Sequence, residues 1–96
     1  MSDTCDQIEQ FGKAIGNVTR YNIVQELVTG PKNVSEIVKA IKCSQSVASQ
    51  HLKILKQSNI VISERNGQEV SYRLNAKHAL FLLKALTSNF KMEHKK

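Results

Sequence analysis

Apolar positions recur at helical spacing from about residue 4 to residue 57, then the period changes to that of strands before a last helical run. Ile8, Phe11 and Ile15 fall at i, i+3 and i+7, with Cys5 extending the stripe, and predict an amphipathic helix over about 4–15. Gly16-Asn17 breaks it, and Asn17 can cap the next. Ile23, Val24, Leu27 and Val28 predict the core face of a second helix over 19–29, ended by Gly30 as C-cap and by Pro31, which cannot continue a helix. Asn33 and Glu36 have capping-box spacing for a third helix, with Ser35 as an alternative cap; its Ile37, Val38 and Ile41 face inward. After a short break at Lys42-Cys43, Ser44 is a good N-cap for a fourth helix over about 45–57. Cys43 and Ala48 stand at the N′ and N4 places of a small hydrophobic staple. The fourth helix stops at Ser58-Asn59, where Asn can take the left-handed conformation.

This fourth helix has two unlike faces. Ala48, Leu52 and Leu55 form an apolar stripe with Val47 and His51 beside it. Ser46, Ser49, Gln50 and Lys53 fall on the opposite side, which is polar and carries no carboxylate. Short polar side chains can bond base edges, and Lys53 and Lys56 can reach phosphates. Two short helices joined by a tight break, the second polar on one side, form a helix-turn-helix pattern.

Residues 60–65 read as a strand, and Val70, Tyr72 and Leu74 alternate with Ser71 and Arg73 as in a half-buried second strand. Asn66-Gly67 between them is a strong hairpin signal. A hairpin over about 60–74 directly after a helix-turn-helix is a wing, whose tip should project Arg65, Asn66, Gln68 and Arg73 toward backbone or minor groove. A last helix from Ala76 to about Lys91 carries Ala79, Leu80, Leu83, Leu86 and Phe90, widened by Phe81 and Leu82. That arc is broader than a monomer of this size needs. Ile8, Phe11, Ile15, Leu80, Leu83, Leu86 and Phe90 are therefore the candidates for a two-fold interface. The expected fold is mainly α with a small β-hairpin, a winged helix-turn-helix in one domain over 1–96. Residues 1–3 and 92–96 should fray.

Composition sharpens the picture. Fourteen Lys and Arg against eight Asp and Glu give a net charge of +6 in 96 residues, which favours a polyanionic partner. Charged residues are 23% and hydrophobic residues 41%, as in a globular chain, and the interior must rest on Ile, Val and Leu because there is no Trp. The two cysteines, Cys5 and Cys43, form no CxxC and suggest no disulfide scaffold. The absence of a signal peptide or long apolar run points to a cytoplasmic chain with no membrane contact. Enzyme chemistry is not expected. The chain has no paired carboxylates on one helix face and no phosphate-cradling Gly-rich loop, and Ser49 and His51 lie two residues apart on one helix, where side chains do not meet.

Thr19-Arg20 at the start of the second helix, Ser44-Gln45-Ser46 and Ser49-Gln50-His51-Leu52 in the fourth, and Val70-Ser71-Tyr72-Arg73-Leu74 in the wing resemble the ArsR/SmtB family of bacterial winged-helix repressors. The resemblance spans roughly residues 8–90. It implies a homodimer joined by first and last helices and operator binding that blocks transcription, relieved by an effector, here unknown. The family's thiol site would fall at Asn33 and Ser35. Its other common metal site would fall at Ala76, His78, Asn89 and Met92. One His cannot hold zinc alone, so neither metal nor other cofactor is expected.

The leading expectation is a sequence-specific repressor that binds double-stranded DNA as a homodimer on a pseudo-palindromic operator. Ser46, Ser49, Gln50 and Lys53 would approach bases, Ser44 and Gln45 would meet phosphates, and Lys42, Lys53 and Lys56 would add electrostatic affinity. One alternative is a winged helix that binds a partner protein, against which the face's lack of large apolar anchors counts. Another is a redox-responsive repressor using Cys43, because a helix N-terminus favours thiol reactivity.

Overall fold

The structure is a computed structural model that describes residues 4–81 and 84, with side chains from Asp6 onward. Its elements are α1 (Thr4–Ile15), α2 (Val18–Leu27), β1 (Lys32–Asn33), α3 (Val34–Ile41), α4 (Gln45–Gln57), β2 (Val61–Asn66) and β3 (Glu69–Leu74). A further helix, α5, begins at residue 76. Leu83, Leu86, Phe90, Asn89 and Met92 lie outside the described residues, as does the side chain of Cys5.

The caps explain the helix starts. Asn17 Oδ1 accepts from the Arg20 amide at 3.0 Å and opens α2. Asn33 and Glu36 form the full capping box of α3: Asn33 Oδ1 accepts from the Glu36 amide at 2.8 Å, and the Asn33 amide donates to Glu36 Oε1 at 2.9 Å. Asn33, not Ser35, is therefore the cap. Ser44 Oγ accepts from the Val47 amide at 3.1 Å and opens α4.

At the far end of α4, the Ile60 amide donates to the Leu55 carbonyl at 2.9 Å and the Asn59 amide to the Lys56 carbonyl at 3.0 Å. With Asn59 at φ 63°, this is a Schellman ending, and its flanking residues Leu55 and Ile60 are both buried. The helix-turn-helix break is made differently. Lys42 itself is left-handed, at φ 57°, so the chain reverses there without a glycine.

The core joins Ala14, Ile23, Leu27, Ile37, Ala48, Leu52, Leu55, Ile60 and Val61, with Phe11, Ile15, Val24, Val38, Ile41 and Cys43 packed against it. At roughly 2 kcal/mol per fully buried aliphatic side chain, these residues supply most of the apolar driving force.

Four expectations need correction. Val28 does not share the core face of α2; it is 64% exposed, because α2 ends at Leu27 and the following turn carries Val28 outward. Gly30 is not the C-cap, which is Val28; Gly30 stands two residues on, at φ 142°, where the chain turns.

The sheet has three strands in the order β1-β3-β2, not two. Lys32 pairs with Tyr72 and Asn33 with Ser71, so β3 is the middle strand. Val70 through Leu74 are all half-buried instead of alternating, and β1 covers the second edge of the strand at Ser71 and Tyr72.

The hairpin turn is also shifted by one residue. Asn66 pairs with Glu69, so the loop is Gly67-Gln68. Gly67 holds φ 66° and Gln68 is not left-handed, the pattern of a type II′ turn, which places its glycine first.

Candidate nucleic-acid interface

Ala48, Leu52 and Leu55 are fully buried and fix one side of α4 against the core. The opposite side is therefore turned outward. Ser46, Ser49, Gln50 and Lys53 are all exposed, as are Ser44, Gln45 and Lys56 around them. Lys42, in the break before α4, is exposed too. Val47, placed beside the buried stripe by its spacing, is 37% exposed and borders the polar face. No carboxylate lies on α4.

Among the described residues, Lys53, Lys56 and Arg65 have no carboxylate partner, so their charges stand free for a polyanion. The arrangement can engage phosphates at its margins and hydrogen-bond groups along its centre.

The wing carries Arg65, Asn66, Gly67 and Gln68 exposed at its end. Arg73 does not belong to the tip. It pairs with Ile62 near the base of the hairpin, and its Nε lies 3.3 Å from Glu64 Oε2. Sequence alternation could not reveal that ion pair, because Glu64 and Arg73 meet only through the register of the hairpin. The second wing carboxylate, Glu69, accepts from Asn33 Nδ2 at 2.5 Å. Asn33 thus caps α3 and braces the wing at the same time.

Arg20 entered the sequence reading only through the family resemblance; its guanidinium links the end of α1 to His51 on α4. The two residues lie 31 positions apart, and no local pattern announces such a contact.

The remaining candidates are placed as follows. Phe11 and Ile15 pack against the core from α1, and Ile8 is half-buried. Phe11 and Leu80 line one apolar cleft of about 390 Å³ with Val24, Ile60, Leu74 and Ala79, and Leu80 is 54% exposed. Cys43 is a free thiol, half-buried against the core. His78 stacks on Phe81 with ring centroids 6.5 Å apart. Among the described residues, no three His, Cys, Asp or Glu side chains are grouped to hold a metal ion. No described helix is long and apolar enough to cross a membrane.

The family model described as "Bacterial regulatory protein, arsR family" matches residues 17–63. The chain is 42% identical over 73 residues to the HTH-type transcriptional repressor SmtB of Mycobacterium tuberculosis, covering 76% of this chain and 54% of that protein. It therefore spans about half the length of that relative. It is 30% identical over 95 residues to the biofilm growth-associated repressor of Xylella fastidiosa, covering 99% of this chain and 83% of that one. Among solved structures, it superposes with a TM-score of 0.74 on the homodimeric winged helix-turn-helix DNA-binding domain of a Mycobacterium bovis protein. The identity there is 30%, over 98% of this chain and 93% of that one.

Proposed function

The chain belongs to the arsR family of bacterial regulatory proteins, and from that premise we propose that it is a transcriptional repressor that binds double-stranded DNA as a homodimer. The observation that carries this reading is the outward, acid-free face of α4 set on a fully buried apolar backing. Ser46, Ser49, Gln50 and Lys53 would meet base edges, and Ser44, Gln45, Lys42 and Lys56 would meet phosphates. Arg65, Asn66 and Gln68 would follow the backbone or minor groove from the wing. Arg73, held by Glu64, would contribute less. The net charge of +6 supplies the long-range attraction.

Pairing would run through the α1 and α5 faces, with Ile8, Phe11, Ile15 and Leu80 among the described residues, together with Leu83, Leu86 and Phe90. A two-fold dimer places two α4 helices on half-sites about 34–36 Å apart, and so calls for a pseudo-palindromic operator. The protein would act in the cytoplasm.

Selection of bound sequences from random duplex DNA, followed by a salt titration, tests the reading. A pseudo-palindromic consensus and a steep fall in affinity with salt are expected. A flat salt response, or no enriched sequence beside a tightly bound protein partner, would overturn it in favour of an interaction module. Running the selection with and without oxidant shows in the same experiment whether thiol oxidation gates binding, and running it with and without zinc does the same for a metal effector.

A further inference from the structure

We propose that Arg20 is a positioning residue for α4, acting through His51; the proposal rests on α4 being the DNA-reading helix. Arg20 lies in the first turn of α2 and its guanidinium faces three acceptors at once. Nε donates to the Ala14 carbonyl at 2.5 Å, Nη2 donates to the Lys13 carbonyl at 3.3 Å, and Nη1 lies 3.2 Å from His51 Nδ1. The two carbonyls are at the end of α1, where the last turn has no helical donors of its own and the helix dipole is negative. They hold the cation in place from one side. His51 meets it from the other.

A guanidinium carries five N–H donors and no acceptor. For the contact to be a hydrogen bond, His51 Nδ1 must offer its lone pair, which calls for the tautomer with its hydrogen on Nε2. His51 sits between the buried stripe of α4 and its outward face, directly after Gln50 and two residues before Lys53. Burial of Ala48, Leu52 and Leu55 settles which side of α4 faces outward, but these contacts are non-directional and leave the finer roll of the helix to other groups. A hydrogen bond from a rigid planar fork is directional and fixes that roll. The clamp thereby ties the angle at which Ser49, Gln50 and Lys53 are presented to the end of α1, the helix assigned above to the two-fold interface.

The test uses the full chain, a selected duplex and a scrambled one. Long-range proton–nitrogen NMR correlations should show His51 with Nε2 protonated and Nδ1 bare. Arg20→Lys keeps the charge but cannot hold three acceptors in one plane. It should lower affinity for the selected duplex about tenfold and change that for the scrambled duplex less than about twofold. His51→Phe should give the same loss, and the two losses should not add in the double variant. His51→Asn, which keeps an acceptor near the Nδ1 place, should retain most of the selectivity.

A proton on Nδ1 in the wild type would overturn the proposal, and so would Arg20→Lys binding both duplexes as the wild type does. Equal losses on both duplexes with a lowered Tm would reduce Arg20 to a purely structural role and overturn it too. Wild-type protein that shifts neither duplex defeats the reading of α4 and this role with it. Wild-type selectivity that Arg20→Lys leaves intact defeats the clamp alone.

Discussion

Lys42 holds its backbone at φ 57°, where a side chain with a Cβ crowds the following carbonyl. Its amide still closes α3 on the Val38 carbonyl at 2.9 Å, so the strain is local and offset by the turn it makes possible. Lys42→Gly should relieve it and raise stability by about 1 kcal/mol in urea unfolding. The same variant should weaken binding to every duplex modestly, because a cation beside α4 is lost. A stabilised protein with unchanged DNA affinity would show that Lys42 stands clear of the phosphates. Two exposed residues of α4 separate the same two kinds of contact. Gln50→Ala should relax discrimination between base pairs by roughly 1–3 kcal/mol, whereas Lys56→Ala should weaken all sequences alike and reduce the salt slope by about one. Competition binding with single-base operator variants distinguishes the two outcomes.

The elements show which parts of the architecture were legible from local chemistry. Asn17, the Asn33–Glu36 box, Ser44 and Asn59 each act through residues within a few positions, and these four ends form as expected, whereas Gly30 and Ser35 do not serve as caps. The outward turn of Ser46, Ser49, Gln50 and Lys53 was legible for the same reason, since helical period alone sets it once Leu52 and Leu55 are buried. What escaped depends on pairing across the fold. β1 is two residues long, too short for any periodicity, and exists only because Lys32 and Asn33 meet β3. The hairpin register turns on whether Asn66 enters the loop or the ladder, and both suit the same Asn-Gly dipeptide. Alternation gives the face of a strand and not its distance from the turn, so it does not separate Arg73, near the base, from the tip. Asn33 joins the two classes, since its carbonyl oxygen makes a local cap and its amide nitrogen a distant brace to Glu69. Glu69→Ala should leave unfolding stability within about 0.5 kcal/mol, since the contact is exposed. It should speed hydrogen exchange at residues 66–70 by freeing the wing. Asn33→Ala removes the cap as well and should cost about 1–2 kcal/mol. Equal stability losses in the two variants would show that the brace, not the cap, is what Asn33 supplies.

At the scale of the molecule, the charge and the unfinished apolar surface point the same way. A core of this size leaves a chain of 96 residues only modestly stable. Leu80 and Phe81 are each about half exposed at the start of α5, beside a cleft that Phe11 of α1 also lines. Covering that surface with a second copy would stabilise both chains and double the net positive charge. Leu80→Glu places a charge in the proposed seam, away from the outward face of α4 and from the wing tip. Sedimentation should then show a monomer, with helical content by circular dichroism largely kept. Affinity for a two-half-site duplex should fall by about 10²–10⁴, because the second half-site is no longer delivered at high effective concentration. Affinity for a single half-site should stay near that of the wild type. A wild-type chain that sediments as a monomer at micromolar concentration, or a Leu80→Glu variant that keeps full affinity for the double site, would place the pairing surface elsewhere. The exposed side chains of Val18 and Tyr21 on α2, with Val28 in the turn after it, form the next face to test in that event, because they too are large apolar side chains turned to solvent.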